Sequence, residues 1–217
     1  MKIGIVQLNT RLNDFKGNLE KIISASKELS SRKADLIVFS ECVLTGYPPK
    51  DLLYEPSFLE KINLSIDKLK EFSTTIEGAL CVGTPIENND DKTLSNALFV
   101  IKDGSVMYRQ NKILLPNYDI FDEKRYFTPG KEVSCIEINN KKIAFSICED
   151  AWFDHNNHTG IDPVKLIQLE QPDIIINCMA SPYEVNKTDL RESHFKSIAK
   201  TCNAVVITVN QVGGNDG

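Results

Sequence analysis

Two short runs in this chain are apolar without alternation: Leu36-Ile37-Val38-Phe39 and Ile174-Ile175-Ile176. Runs this short are strands rather than helices, and the lack of alternation marks strands buried on both faces. Such strands need a layer on either side. Segments with apolar residues at helical spacing can supply it: Asn18 to Ser30 (Leu19, Ile22, Ile23, Ser26, Leu29), Phe58 to Phe72 (Leu59, Ile62, Ile66, Leu69), Asp162 to Glu170 and Leu190 to Asn203. Further strands are predicted at Lys2 to Leu8, Gly78 to Val82, Asn96 to Ile101, Val106 to Asn111, Ser134 to Ile138, Lys142 to Ile147 and Ala204 to Asn210. Lys102-Asp103-Gly104 and Asn139-Asn140 read as hairpin turns, and Asn88 to Lys92 as a polar turn. The resulting order, β-α-β-α-β-ββ-ββ-α-β-α-β, is a mixed α/β layered fold and not a purely parallel doubly wound sheet.

The composition fits a globular domain. The chain has 217 residues, 41% of them hydrophobic and 25% charged, enough to bury a sizeable core. A net charge of −5 argues against nucleic acid or an anionic membrane as partner. No apolar run reaches the ~18 residues of a membrane span. Met1 to Val6 lacks the pattern of a signal peptide, so a cytoplasmic location is expected.

Six cysteines, at 42, 81, 135, 148, 178 and 202, lie far apart with no C-x-x-C pair. They fit reduced, mostly buried thiols, with room for one nucleophile among them. His155 and His158 have no third ligand at usable spacing, so they read as a polar loop, and no metal is expected. Gly213-Gly214 lacks the Lys and helix of a phosphate loop and reads as a plain turn. The last residues, Val212 to Gly217, form a strand-to-turn segment, from which we expect the natural protein to continue.

Three functional groups stand at the ends of predicted strands. Glu41 follows Leu36 to Phe39, Cys148 follows Ile143 to Ile147, and Lys112 ends the arm from Val106. In α/β sheets such positions line the crevice where chemistry is done. A lysine near a thiol favours the thiolate, a carboxylate can act as general base, and the ammonium can face a developing oxyanion. The trio therefore predicts covalent acyl-enzyme catalysis through Cys148. Residues 113 to 130, rich in aromatic and charged side chains, read as an ordered functional loop.

The residues around the trio resemble the nitrilase, or carbon-nitrogen hydrolase, superfamily. The stretch from Ala34 to Glu41 followed by Thr45-Gly46-Tyr47 looks like its glutamate motif, Asn111 to Pro116 like its lysine motif, and Ile147 to Trp152 like its cysteine motif. Pro48 to Leu53, Leu115 to Tyr118, Phe121 to Phe127, and Asn177 to Tyr183 with Lys187 are similar to the glutamine-dependent NAD(+) synthetases.

The resemblance implies a four-layer α-β-β-α sandwich in which residues 1–217 are a glutaminase domain, incomplete at its C-terminus. A synthetase domain of the same polypeptide, absent from this chain, would use ATP and magnesium, whereas this domain needs no cofactor. The resemblance further implies Glu41 as general base, Lys112 as stabiliser of the tetrahedral intermediate, Cys148 as nucleophile, and Glu123 as the glutamate that orients the lysine. Glutamine would be held by Glu149 at its ammonium, Lys187 at its carboxylate, Ser181 nearby, and Tyr118 as an aromatic wall. Homo-oligomers are implied as well. Two rivals stay open: a stand-alone amidase of the same superfamily, and a non-catalytic domain that keeps the fold.

Overall fold

The computed structural model describes residues 1–88, 92–156 and 158–214. Nine strands and four α-helices follow one another along the described residues: β1 (Ile3–Ile5), α1 (Phe15–Ser31), β2 (Leu36–Val38), α2 (Pro56–Ser73), β3 (Ala79–Glu87), β4 (Leu94–Lys102), β5 (Ser105–Asn111), β6 (Cys135–Ile138), β7 (Lys141–Ile147), α3 (Pro163–Glu170), β8 (Ile174–Met179), α4 (Lys187–Cys202) and β9 (Val205–Asn210). Short 3₁₀ turns at Lys50–Tyr54, Glu123–Arg125 and Cys148–Ala151 add to these.

The strands form two sheets, in the orders β1-β2-β3-β4-β5 and β6-β7-β8-β9. β1, β2 and β3 are parallel, as are β7, β8 and β9, and the remaining pairs are antiparallel.

Pleating sends alternate side chains to opposite faces. From the first sheet Leu36, Val38, Cys81, Leu98 and Val100 meet Ile143, Phe145, Ile147, Ile176 and Cys178 of the second, making a core between the sheets. The intervening Ile37, Leu80, Val82 and Phe99 face α1 and α2 through Ile22, Ile62 and Leu69. Ala144 and Ile175 face α3 and α4 through Ile167 and Ile198. The layers therefore run α-β-β-α. Both unalternating runs proved to be strands with packed layers on either side.

Boundaries moved where caps and pairing decide them. α1 begins at Phe15, before the expected Asn18, because Asp14 caps it by accepting the Gly17 N–H at 2.9 Å. Asp162 caps α3 in the same way. α4 begins at Lys187, ahead of Leu190. β1 is shorter than predicted. β3 was expected to stop at Gly83-Thr84-Pro85 but runs on to Glu87, paired with β4. β2 pairs with β3 only as far as Cys81, so Pro85 lies where the strand has one ladder partner, a position that tolerates a missing N–H. Residues 89–91 of the expected polar turn, and residues 215–217 of the closing segment, lie outside the described residues.

Strand direction positions the site. β5 runs parallel to β2, because two antiparallel pairings separate β3 from β5. Glu41 and Lys112 therefore leave the first sheet at the same end. β7 and β8 are parallel, so Cys148 and Ala180 leave the second sheet together. The two ends meet where the Ala180 N–H donates to Glu41 Oε2 at 2.9 Å.

Candidate active site

Glu41 lies in a wholly buried turn between β2 and the 3₁₀ turn at Lys50–Tyr54. Its Oε1 accepts from Lys112 Nζ and from Asn96 Nδ2, each at 2.7 Å. This turn crosses β3 so closely that a Cβ on Gly83 would lie 2.6 Å from the Ser40 carbonyl oxygen and 2.9 Å from Glu41 Cα. Cys42, next in sequence, has a φ of 47°. A non-glycine residue in the left-handed region stores strain of the kind found at functional sites.

Lys112 is buried at the end of β5, and its Nζ also donates to Glu123 Oε1 at 2.8 Å. Glu123 belongs to a 3₁₀ turn inside the loop 113–130, and the Tyr47 hydroxyl donates to the same oxygen at 2.8 Å. One ammonium thus sits between two buried carboxylates, within a set of polar groups gathered from five segments of chain.

Cys148 follows β7 directly, is buried, and has a φ of 45°. Asp150, two residues on, locks this turn in place. Its Oδ2 accepts the Ile147 N–H at 3.0 Å, and its Oδ1 accepts those of Ile113 and Leu114 at 2.9 and 2.7 Å. The stretch after Lys112 and the turn at Cys148 are fastened through a single carboxylate.

Lys112 does favour the Cys148 thiolate, as expected, but it is outweighed, and the thiol is held well above its ordinary pKa. Burial is the largest cause, and Glu41 and Glu123 add to it while Lys112 opposes. The ammonium is shared between two carboxylates, so its pull on the sulfur is outweighed. Burial by itself would lower the Lys112 pKa, but Glu123 and Glu41 hold it well above the usual lysine value. Burial pushes the Glu123 carboxyl up to about 7, against the pull of Lys112.

Glu149 belongs to a second cluster. Its Oε2 accepts from the Tyr118 hydroxyl at 2.8 Å, and its Oε1 from Asn156 Nδ2 and His158 Nε2, both at 2.7 Å. His158, read from sequence as part of a polar loop, is thus a partner of Glu149. His155 instead packs edge-on against Trp152, with ring centroids 5.2 Å apart. Among the described residues no group of three His, Cys, Asp or Glu is placed to hold a metal ion.

Ser181 follows β8. Its N–H donates to Asn210 Oδ1 at 2.9 Å, and its Oγ accepts from Arg191 Nη2 at 2.8 Å. It lines a cavity of about 630 Å³, together with Tyr47, Phe121, Ala180, Arg191 and Asn210 among others. Lys187 pairs with Glu184 at 2.9 Å, and its side chain is 30% exposed.

Sequence reading missed Asn96, Tyr47, Asp150, Asn156 and Arg191. Asn96 carried a usable signal, a lone amide inside the apolar run Leu94 to Ile101. Tyr47 and Asp150 stood inside the quoted motifs without a role, and Asn156 and Arg191 gave no signal, because only folding sets their partners.

Comparison with known proteins follows the same lines. Residues 2–217 match the carbon-nitrogen hydrolase family. A glutamine-dependent NAD(+) synthetase of Aquifex aeolicus is 40% identical over 216 residues, which make up 100% of this chain and 36% of the relative. The structure of a glutamine-dependent NAD(+) synthetase from Acinetobacter baumannii superposes with a TM-score of 0.89 at 32% identity, covering 98% of this chain and 38% of the other. The amidase of Nesterenkonia AN1, from the nitrilase superfamily, shares the fold at 18% identity and a TM-score of 0.83, covering 100% of this chain and 78% of its own. This chain thus spans little more than a third of the synthetases it matches. No helix among the described residues is long and apolar enough to cross a membrane. Matched over nearly its whole length and carrying the layered fold of its relatives, the chain belongs to the carbon-nitrogen hydrolase family.

Proposed function

We propose that this chain hydrolyses the side-chain amide of glutamine, releasing glutamate and ammonia. The observation that carries the reading is the buried Lys112 ammonium between Glu41 and Glu123, within electrostatic reach of the Cys148 sulfur.

Glu41 takes the proton of the Cys148 thiol as the sulfur attacks the amide carbon. The new C–S bond gives a tetrahedral intermediate whose oxyanion faces Lys112. The C–N bond breaks, and the proton held on Glu41 passes to the leaving nitrogen, which departs as ammonia. Water, deprotonated by Glu41, attacks the γ-glutamyl thioester carbon; the C–S bond breaks, the proton on Glu41 returns to the sulfur, and glutamate leaves. Glu123 holds Lys112 in place throughout. With the thiol pKa held up by burial, general-base removal of its proton is an essential step.

Substrate choice follows from charge. Glu149, buried and already oriented by Tyr118, Asn156 and His158, is suited to the substrate ammonium. Lys187 and Ser181 lie on the segment that would meet the carboxylate, and Tyr118 forms a wall.

In the whole protein the ammonia serves ATP- and magnesium-dependent amidation of deamido-NAD by a synthetase region, in line with the names of the relatives. Free ammonia is mostly protonated near neutral pH, so enclosed transfer keeps it nucleophilic. The protein works in the cytoplasm and assembles into homo-oligomers.

The test is mass spectrometry of the intact protein treated with a glutamine-like electrophile. One covalent adduct on Cys148 is expected, lost in Cys148→Ala. A folded protein that hydrolyses no glutamine and forms no adduct refutes the reading and favours a non-catalytic domain.

A further inference from the structure

We propose that His194 of α4 is a positioning residue for the reaction. Its Nε2–H anchors the end of the turn that carries Cys148, and its ring face supports the loop that orients Glu149. The second role rests on the glutamine reading above; the first does not.

The turn Cys148–Ala151 is fastened at its start by Asp150, which accepts the Ile147 N–H at 3.0 Å. A short 3₁₀ turn leaves its last carbonyl groups without partners inside the turn. The Glu149 carbonyl oxygen is met by the Trp152 N–H at 2.8 Å. Ala151 is buried, and its carbonyl has no backbone donor among the described residues. His194 Nε2 meets that oxygen at 2.6 Å. A carbonyl oxygen only accepts, so Nε2 carries the hydrogen. Without it a buried backbone acceptor would stand unpaired. Cys148 itself has a φ of 45°, a conformation that the surrounding structure must enforce. Anchors at both ends of the turn do so.

The ring has its own task. It lies nearly parallel to the Trp152 indole, with centroids 4.2 Å apart and planes 14° from parallel. His155 closes the group edge-on, 5.2 Å from Trp152 and 6.2 Å from His194. The Trp152 carbonyl oxygen accepts the Asn156 N–H at 3.0 Å, and Asn156 Nδ2 donates to Glu149 Oε1 at 2.7 Å. The stacked rings therefore support the base of the loop whose side chains set the direction of Glu149.

α4 is a firm source for both contacts. Its Ile198 and Cys202 pack with Trp152 and Ile167 against the second sheet. Arg191, one turn earlier, donates to Ser181 Oγ and the Pro182 carbonyl oxygen. One helix thus touches the segments that leave both β7 and β8. Histidine suits the place because it joins a flat face to an N–H donor.

The experiment parts the two features in the intact protein. Glutamine as a side chain carries its Nε2 as far from Cα as histidine does, so His194→Gln keeps the donor and loses the ring. His194→Phe keeps the ring and loses the donor, and the cavity of about 410 Å³ that His194 lines gives the new ring room. In His194→Phe, kcat for glutamine should fall about tenfold or more with KM little changed. His194→Gln should restore most of kcat and raise KM about threefold or more. With no substrate present, iodoacetamide should alkylate Cys148 about threefold faster in His194→Phe than in His194→Gln, because a slack turn exposes the sulfur. Mass spectrometry locates the label.

Parallel losses of kcat and KM in both variants, in step with Tm, mean a merely structural histidine and overturn the inference. Wild-type behaviour in both does so too. Should His194→Phe fail to fold, the wild-type protein decides: ¹⁵N spectra of the neutral imidazole must place the hydrogen on Nε2, and the Nδ1–H tautomer overturns the anchor. The alkylation contrast without any glutamine hydrolysis would sink the glutaminase reading and keep the anchor. Hydrolysis with no contrast in kcat or alkylation would do the reverse.

Discussion

Asp150 accepts the backbone N–H of Leu114 at 2.7 Å and so ties the loop after Lys112 to the turn that begins at Cys148. The same side chain takes the N–H groups of Ile113 and Ile147. Asp150→Asn replaces one acceptor oxygen with an amide nitrogen that faces a backbone donor. A buried donor left unpaired costs about 1–3 kcal/mol. We expect a lower Tm and a loss of glutamine turnover that exceeds the loss of stability, because two catalytic segments part. An Asp150→Asn protein with wild-type Tm and turnover would contradict this.

Gly83 offers a steric test. A methyl group there meets the Ser40 carbonyl oxygen at 2.6 Å and the Cys42 nitrogen at 2.7 Å, both backbone atoms that cannot swing aside. Gly83→Ala should therefore displace the Glu41 turn. Overpacking of this kind costs about 1–3 kcal/mol. Calorimetry should show the loss of stability, and turnover should fall while Cys148 still reacts with iodoacetamide.

Asn96 donates to the Glu41 oxygen that also pairs with Lys112. Asn96→Asp would put a second carboxylate in its place. Like charges raise the pKa of a carboxyl pair. The acid limb of the pH profile of kcat/KM should therefore move to higher pH, whereas Asn96→Ala should lower the rate with a smaller shift. An unmoved limb in Asn96→Asp would contradict this.

Glu41→Gln separates thiolate formation from catalysis. Glu41 is among the causes that raise the Cys148 pKa, after burial itself. Removing its charge should lower the pH midpoint of Cys148 alkylation. Turnover should nevertheless fall by about 100-fold or more, because the base is gone. If turnover survived in Glu41→Gln, a preformed thiolate would suffice, and general-base removal of the proton would not be essential.

Glu123 predicts a dependence of stability on pH. Its folded pKa is raised, chiefly by burial, from 4.5 to about 7. Between those values the folded state binds more protons than the unfolded one, so this group's contribution to stability declines as pH rises through the window. Below about pH 4.5 both states are protonated, and above about pH 7 both are ionised. Glu123→Gln cannot titrate. Its Tm relative to wild type should therefore rise from pH 4.5 to 7 and level off above. A Tm difference independent of pH would show that Glu123 ionises normally.

The layered fold could be read from the residues, because burial on two faces leaves a local mark. Leu36 to Phe39 and Ile174 to Ile176 lack alternation since each faces a sheet on one side and helices on the other. Helical periodicity located α1 to α4 in the same way. Strand ends also pointed to Glu41, Lys112 and Cys148, since the end of an apolar run shows in sequence. Only the tertiary structure decided what those groups experience. Glu41 and Lys112 are 71 positions apart, and their 2.7 Å contact arises from the shared direction of β2 and β5. The raised pKa of Cys148, the clamp at Asp150 and the contact of Arg191 with Ser181 depend on which charges and donors folding brings together and how deeply it buries them. Electrostatic energy depends on distance and burial, and neither is a property of residue order.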